Sequence, residues 1–186
     1  MNDRKILWNA AASSGLALGG VSSAYMLLQI LMQKIPTGGL TGGIASAAGI
    51  LLWAGKLVLC IWLMKHFIKQ FAASNEGVTN RDSFRFGNAT ALLSALVFAG
   101  FSMAWYTFVQ PDAFADAVDQ AMAMMSSSLT PEVEEQMEAI KDKGPTLSFF
   151  GNFIWCWLIG MVLAAIFSRN IPPRNPFAGE ASSDED

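Results

Sequence analysis

Lys56 is the residue whose position most directly suggests chemistry, because it interrupts a long apolar stretch between Thr41 and Met64. A charged side chain inside a bilayer costs at least ~2.5 kcal/mol, and such residues often mark ion pathways or pair with a partner. It lies about 13 Å along a helix from Lys65. No other apolar stretch contains an aspartate or glutamate, so a partner protein would have to supply the acid.

The alternative for Lys56 is a structural role. An unpaired lysine in lipid is deprotonated, bonds to backbone carbonyls or to Tyr25, or extends its stem toward the headgroups. Both interpretations remain open at this point.

The other reactive side chains do not form a recognisable catalytic set. His66 is the only histidine, and with no second histidine or nearby cysteine we predict interfacial anchoring instead of zinc binding. The acids between positions 110 and 146 predict a solvated face rather than a cation site: Asp112, Asp116, Asp119, Glu132, Glu135 and Glu138. No Ser-His-Asp grouping or phosphate-binding glycine loop can be assembled. We expect no enzyme activity, cofactor or metal.

Composition indicates a membrane protein. The 186 residues are 53% hydrophobic and 15% charged, against about 25% charged residues in soluble domains. Mean hydropathy is +0.37. The sequence has no basic patch of the kind that nucleic acid requires, so we expect no nucleic-acid partner.

Four stretches are long enough to cross a bilayer, since a helix needs about 20 residues for a core of roughly 30 Å. They cover residues 6–32, 41–64, 84–109 and 147–168 within a membrane domain at 1–172. The first is predicted to be a retained span, because its apolar run exceeds the core of a signal peptide. The glycine-rich segment Lys34–Gly43 predicts a turn, and Ser83 a helix N-cap.

Residues 110–146 predict a helical hairpin with one amphipathic stripe on each helix, separated by Ser126-Ser127-Ser128. Thr130-Pro131 is expected to begin its second helix and Gly144-Pro145 to end it. The acidic tail at 173–186 is predicted to be disordered. The predicted fold is therefore all-α, with four transmembrane helices and a hairpin between the third and fourth.

Basic residues orient this arrangement by the positive-inside tendency. Eight fall on one side and three on the other, and Lys56 stays inside the membrane. We therefore predict both termini in the cytoplasm and the hairpin outside it. The two groups are Arg4, Lys5, Lys65, Lys69, Arg81, Arg85, Arg169 and Arg174, against Lys34, Lys141 and Lys143.

Small residues recur every fourth position on the first span, at Ala11, Gly15, Gly19 and Ser23. Such a face lets another backbone approach closely, which is how helices associate in lipid. The partner is either another span of this chain or a second copy.

The chain resembles the bacterial membrane family called domain-of-unknown-function family 4199 over nearly its whole length. The likeness is carried by Asp82-Ser83-Phe84-Arg85-Phe86-Gly87, by Pro111-Asp112, and by Arg169 followed by Asn175-Pro176. The resemblance implies a small four-helix inner-membrane protein of Gram-negative-type bacteria. It implies no activity, ligand or catalytic residue, and Lys56 lies outside its motifs.

Three functions compete. We favour a non-enzymatic accessory or scaffolding subunit that contacts membrane or periplasmic proteins, because the small-residue face and the methionine-rich hairpin are binding surfaces. The alternative is a small transporter or channel subunit that uses Lys56 and forms a homo-oligomer. A membrane enzyme ranks last, since clustered acids and histidines are missing from the sequence.

Overall fold

The computed structural model describes residues 2–33, 40–75, 78–125 and 130–170. These residues form six α-helices, of which α1, α2, α3 and α6 are long and apolar enough to cross a membrane. The predicted all-α class with four candidate spans is thus confirmed. The helices are α1 (Asn2–Gln33), α2 (Leu40–Ser74), α3 (Asn80–Phe108), α4 (Ala113–Met125), α5 (Pro131–Lys141) and α6 (Gly144–Arg169). The serine break and the tail at 173–186 lie outside the described residues.

Helix α2 is longer than predicted at both ends. It begins at Leu40, so Gly42 and Gly43 lie inside the helix and not in a turn. It ends at Ser74, ten residues after the predicted Met64, so the basic cluster lies on the helix. The physical reason is that Met64, Ile68 and Phe71 are buried at helical spacing and hold this last part against its neighbours.

The N-cap of α3 is Thr79, so the prediction of Ser83 was wrong. The Asp82 amide donates to Thr79 Oγ1 at 3.2 Å, and the Thr79 amide donates to the Asp82 carboxylate at 3.3 Å. This reciprocal capping box satisfies two backbone donors at once, which Ser83 could not do. Ser83 is buried within the first turns of the helix instead.

Helix α3 is the centre of the bundle, with α1 on one side and α6 on the other. Gly15 and Gly19 meet α3 near Leu93 and Val97 in turn, so α1 and α3 run parallel. Gly87 meets Ala164 and Gly160 meets Ala91, so α3 and α6 run antiparallel. We call the end that carries Lys5, Lys65, Arg85 and Arg169 the basic end.

Helices α4 and α5 join the opposite end of α3 to α6, as the predicted hairpin requires. Thr130 occupies the N-cap of α5 and Pro131 its first turn, although the Thr130 side chain makes no capping hydrogen bond. Gly144 does not end α5; it begins α6 and packs against the ring of Phe114. A glycine is required here because a Cβ would overlap that ring.

Candidate functional site

Lys56 lies near the middle of α2, about 24 Å from Leu40 and about 27 Å from Ser74 at 1.5 Å per residue. Its ammonium Nζ lies 4.8 Å from the ring centroid of Tyr25 on α1 and 5.1 Å from that of Phe98 on α3. Both distances are within the range of cation–π attraction, worth about 0.5–2 kcal/mol. The lysine is thus held between two aromatic rings near the middle of a helix that is long and apolar enough to cross a membrane.

Among the described residues, Lys56 has no carboxylate partner. The ion pairs there are Arg85 with Asp82 and Lys141 with Asp119 and Glu138, all of them away from Lys56. The hydroxyl of Tyr25 is also buried without a hydrogen-bond partner in that part of the chain. An ammonium and a phenol therefore lie close together, each with hydrogen-bonding capacity left over.

A groove between α1 and α2 opens onto Lys56. Its volume is about 620 Å³. Apart from Lys56 and Tyr25, every side chain in its lining is apolar: Val21, Ala24, Leu28, Ala48, Leu51, Leu52, Gly55 and Leu59. The groove is thus hydrophobic, with one cationic side chain in its lining.

The groove lies where α2 is least packed. The part of α2 toward the basic end is anchored by Met64, Ile68 and Phe71, and the Phe71 ring stacks on Phe86 of α3 at 4.2 Å between centroids. In contrast, the half that begins at Ala47 exposes its large apolar side chains. They are Ile50, Leu51, Trp53, Leu57, Val58 and Leu59.

The small-residue face of α1 packs against α3 of the same chain. Ala11 is fully buried, and a Cβ added at Gly15 or Gly19 would lie 2.8 Å from a side-chain carbon of α3. Ser23 is buried and donates its hydroxyl to the Gly19 carbonyl within α1. The face that the sequence left open between two partners is therefore used inside the monomer.

Polar contacts between α3 and α6 are the feature that sequence reasoning missed. Asn152 of α6 donates to Ser102 of α3 at 3.0 Å and to Ser148 of α6 at 3.2 Å. Nearer the basic end, Trp157 Nε1 donates to Asn88 Oδ1 at 3.0 Å. The sequence signal for these contacts was the presence of Asn and Ser side chains within apolar spans, because such side chains form hydrogen bonds between helices in lipid.

His66 is exposed and stacks on Trp62, with ring centroids 5.4 Å apart. It touches the edge of Phe67 as well. The imidazole thus lies beside two aromatic rings on the part of α2 that carries the basic cluster, and interfacial anchoring stays a prediction.

The acidic hairpin is joined by one lysine. Lys141 Nζ of α5 lies 2.6 Å from carboxylate oxygens of both Asp119 on α4 and Glu138 on α5. Hydrogen bonds to Asp119 and then to Glu138 raise the pKa of Lys141. The ion pair with Asp119 thus connects α4 to α5, whereas the pair with Glu138 lies within α5. The other acids are exposed: Asp112, Asp116, Glu132 and Glu135.

A family model described as "Protein of unknown function (DUF4199)" matches residues 13–169, which is most of the chain. No curated protein and no solved structure matches it.

Proposed function

We propose that this chain, which belongs to the DUF4199 family, is a non-enzymatic accessory subunit that holds a transmembrane helix of a partner protein. The partner helix lies in the groove between α1 and α2, and an aspartate or glutamate on it pairs with Lys56. The observation that carries the proposal is the Lys56 ammonium, which lies between two rings and lines an apolar groove.

Charge supports an acidic partner. The sequence has no Asp or Glu between positions 4 and 75, between 83 and 111 or between 143 and 179. A cation in lipid costs at least ~2.5 kcal/mol, and cation–π contacts offset only part of that. A carboxylate entering the groove would neutralise the charge and leave an oxygen for the Tyr25 hydroxyl. A second copy of this chain has no acid to bring to that depth.

Size supports a helix as the occupant. One helical turn with its side chains, ~10 Å across and 5.4 Å tall, fills roughly 420 Å³. The groove volume of about 620 Å³ accommodates such a turn. Because the exposed face of α2 continues the groove wall with Leu51 and Leu59, the contact can extend along the helix.

The membrane location is part of the proposal. Eight of the basic residues fall on the side of the basic end and three on the other, which supports a cytoplasmic basic end in a bacterial inner membrane. Both termini then face the cytoplasm, and α4 and α5 lie outside it. A phosphatase reporter fused after Ser127 should be active and a fluorescent-protein fusion there dark; the reverse pair of results would invert the topology.

Site-specific photocrosslinking in intact cells tests the partner. A crosslinking amino acid at Leu28 or Leu52, inside the groove, is expected to capture one protein through a membrane segment that contains Asp or Glu. The same amino acid at Val162, an exposed position on α6, is the matched control and should capture lipid only. Lys56→Leu should abolish the capture and Lys56→Arg should preserve it.

Other outcomes contradict the proposal. Capture of this chain by itself from the groove positions, together with ion flux in liposomes that Lys56→Leu removes, would establish the transporter or channel alternative. Equal capture from the groove and from Val162 would show that the groove has no specific occupant.

A further inference from the structure

A second cavity lies at the basic end, between the Lys65–Lys69 part of α2 and the C-terminal end of α6. Its volume is about 200 Å³, and it is lined by Lys65, Ile68, Lys69, Phe167 and Asn170. Three of these side chains are polar or charged, and the other two are apolar. The cavity is separate from the Lys56 groove, and what is inferred for the cavity does not rest on the function proposed for the groove.

The charge of this cavity is uncompensated within the described part of the chain. Lys65 and Lys69 are four residues apart, so both ammonium groups project from one face of α2. No ion pair of the described residues includes either of them. Two like charges side by side repel each other, and an anion between them would remove the repulsion.

The position and size favour a lipid headgroup over a protein segment. The cavity lies where the candidate span of α6 ends, beside the two lysines of α2. The end of a membrane-spanning helix lies at the depth of the phosphates in a bilayer. Fully buried Ile68 and the Phe167 ring form an apolar wall, and Asn170 adds an amide donor. Its volume is about half the roughly 420 Å³ of a helical turn, so a phosphate fits and a helix does not.

We propose that this cavity binds the phosphodiester of an anionic phospholipid. Lys65, Lys69 and Asn170 donate hydrogen bonds to the phosphate oxygens, and the glycerol and first acyl carbons lie against Phe167, which is packed on buried Ile68. Basic pockets between transmembrane helices hold anionic headgroups in this way.

The test compares lipids retained by the purified full chain. The protein is reconstituted in nanodiscs of equal phosphatidylglycerol and phosphatidylcholine, extracted in mild detergent, and its bound lipids are counted by mass spectrometry. Wild type should retain about one phosphatidylglycerol per chain, in preference to phosphatidylcholine. Lys65→Gln with Lys69→Gln should lower that preference at least about tenfold.

Lys5→Gln with Arg81→Gln is the matched control, since it removes two charges at the same end but outside the cavity. It should retain phosphatidylglycerol like wild type, and both double variants should keep the wild-type thermal midpoint. Equal loss in the two double variants, or equal retention of phosphatidylcholine, would overturn the proposal. If 10 mM inorganic phosphate displaces the lipid completely, the ligand is free phosphate and the lipid assignment is wrong.

Discussion

Helices α3 and α2 are both long and apolar enough to cross a membrane, yet they pack in opposite ways. In the most apolar 18-residue stretch of each, 33% of α3 is buried and 6% of α2. Helix α3 presents Gly87, Ala91, Ala95 and Ala99 to its neighbours, whereas α2 presents leucines and tryptophans. In lipid, apolar area alone does not bring helices together, so the helix with small residues becomes the centre.

The comparison also explains where a binding site can exist. A face already filled by close backbone contact, such as Gly19 of α1 against Val97 of α3, has no room for a partner. The half of α2 around Lys56 has both room and an uncompensated charge. A weakly packed part of α2 is therefore the region left for binding.

Breaking the close contact of α3 should have the largest effect. In Gly87→Leu, even the Cβ would lie 2.8 Å from the Ala164 Cβ, and the rest of the side chain would force α3 and α6 apart. We expect a loss of about 3 kcal/mol in the free energy of unfolding, the upper end for overpacking. SDS titration in mixed micelles measures it.

Gly100→Leu is the control for that variant, because a Cβ at Gly100 of the same helix meets nothing within 4 Å. It makes the same gain in helix propensity without the clash, so it should be at least as stable as wild type. If both leucine variants were equally stable, close packing of α3 would not hold the bundle together.

Shortening one side chain in each part of α2 should show that the anchored part contributes to stability and the open part does not. Met64 is 1% exposed and Leu51 is 73% exposed. Met64→Ala should cost about 2 kcal/mol, the low end for core truncation, because the lipid reference state removes much of the transfer term. Leu51→Ala should cost almost nothing, since it exchanges one lipid contact for another. Thermal midpoints in micelles compare the two, and similar losses would mean that α2 packs evenly.

The polar link between α3 and α6 should contribute less than their close packing. Asn152→Leu removes two hydrogen bonds and leaves Ser102 and Ser148 bonded to each other at 3.0 Å. Interhelical hydrogen bonds in membranes average about 0.6 kcal/mol and reach about 1.7, so we expect a loss in that range. Thr107→Val is the control, since its hydroxyl bonds only to Met103 of its own helix. If Asn152→Leu lost as much free energy of unfolding as Gly87→Leu, the Asn152 amide would stabilise the contact between α3 and α6 as much as the small residues do.

The spans could be predicted from the sequence because length and apolarity are local properties. The α2 boundary could not, because burial of Ile68 and Phe71 against α3 outweighs the charges beside them. Lys56 was visible as an unpaired charge, and Tyr25 was named as a contact. Phe98 was not foreseen, because its approach depends on how three helices pack. The groove likewise depends on tertiary packing, which a single sequence does not contain.

The contact between α4 and α5 in the hairpin should be the weakest of these helix contacts, and it should depend on pH. Its carboxylate partners raise the pKa of Lys141 above the ordinary 10.5, so the ion pair stabilises the α4–α5 contact below that pH and is lost as pH rises through the raised value. Spin labels at Gln120 and Gln136 should report a longer distance in Lys141→Met at pH 7, and in wild type when the pH is raised from 7 to above about 10.5. Lys143→Met, next to it and outside these ion pairs, should match wild type. An unchanged distance in Lys141→Met would mean that apolar contacts such as buried Val118 hold the hairpin, as small residues hold α3.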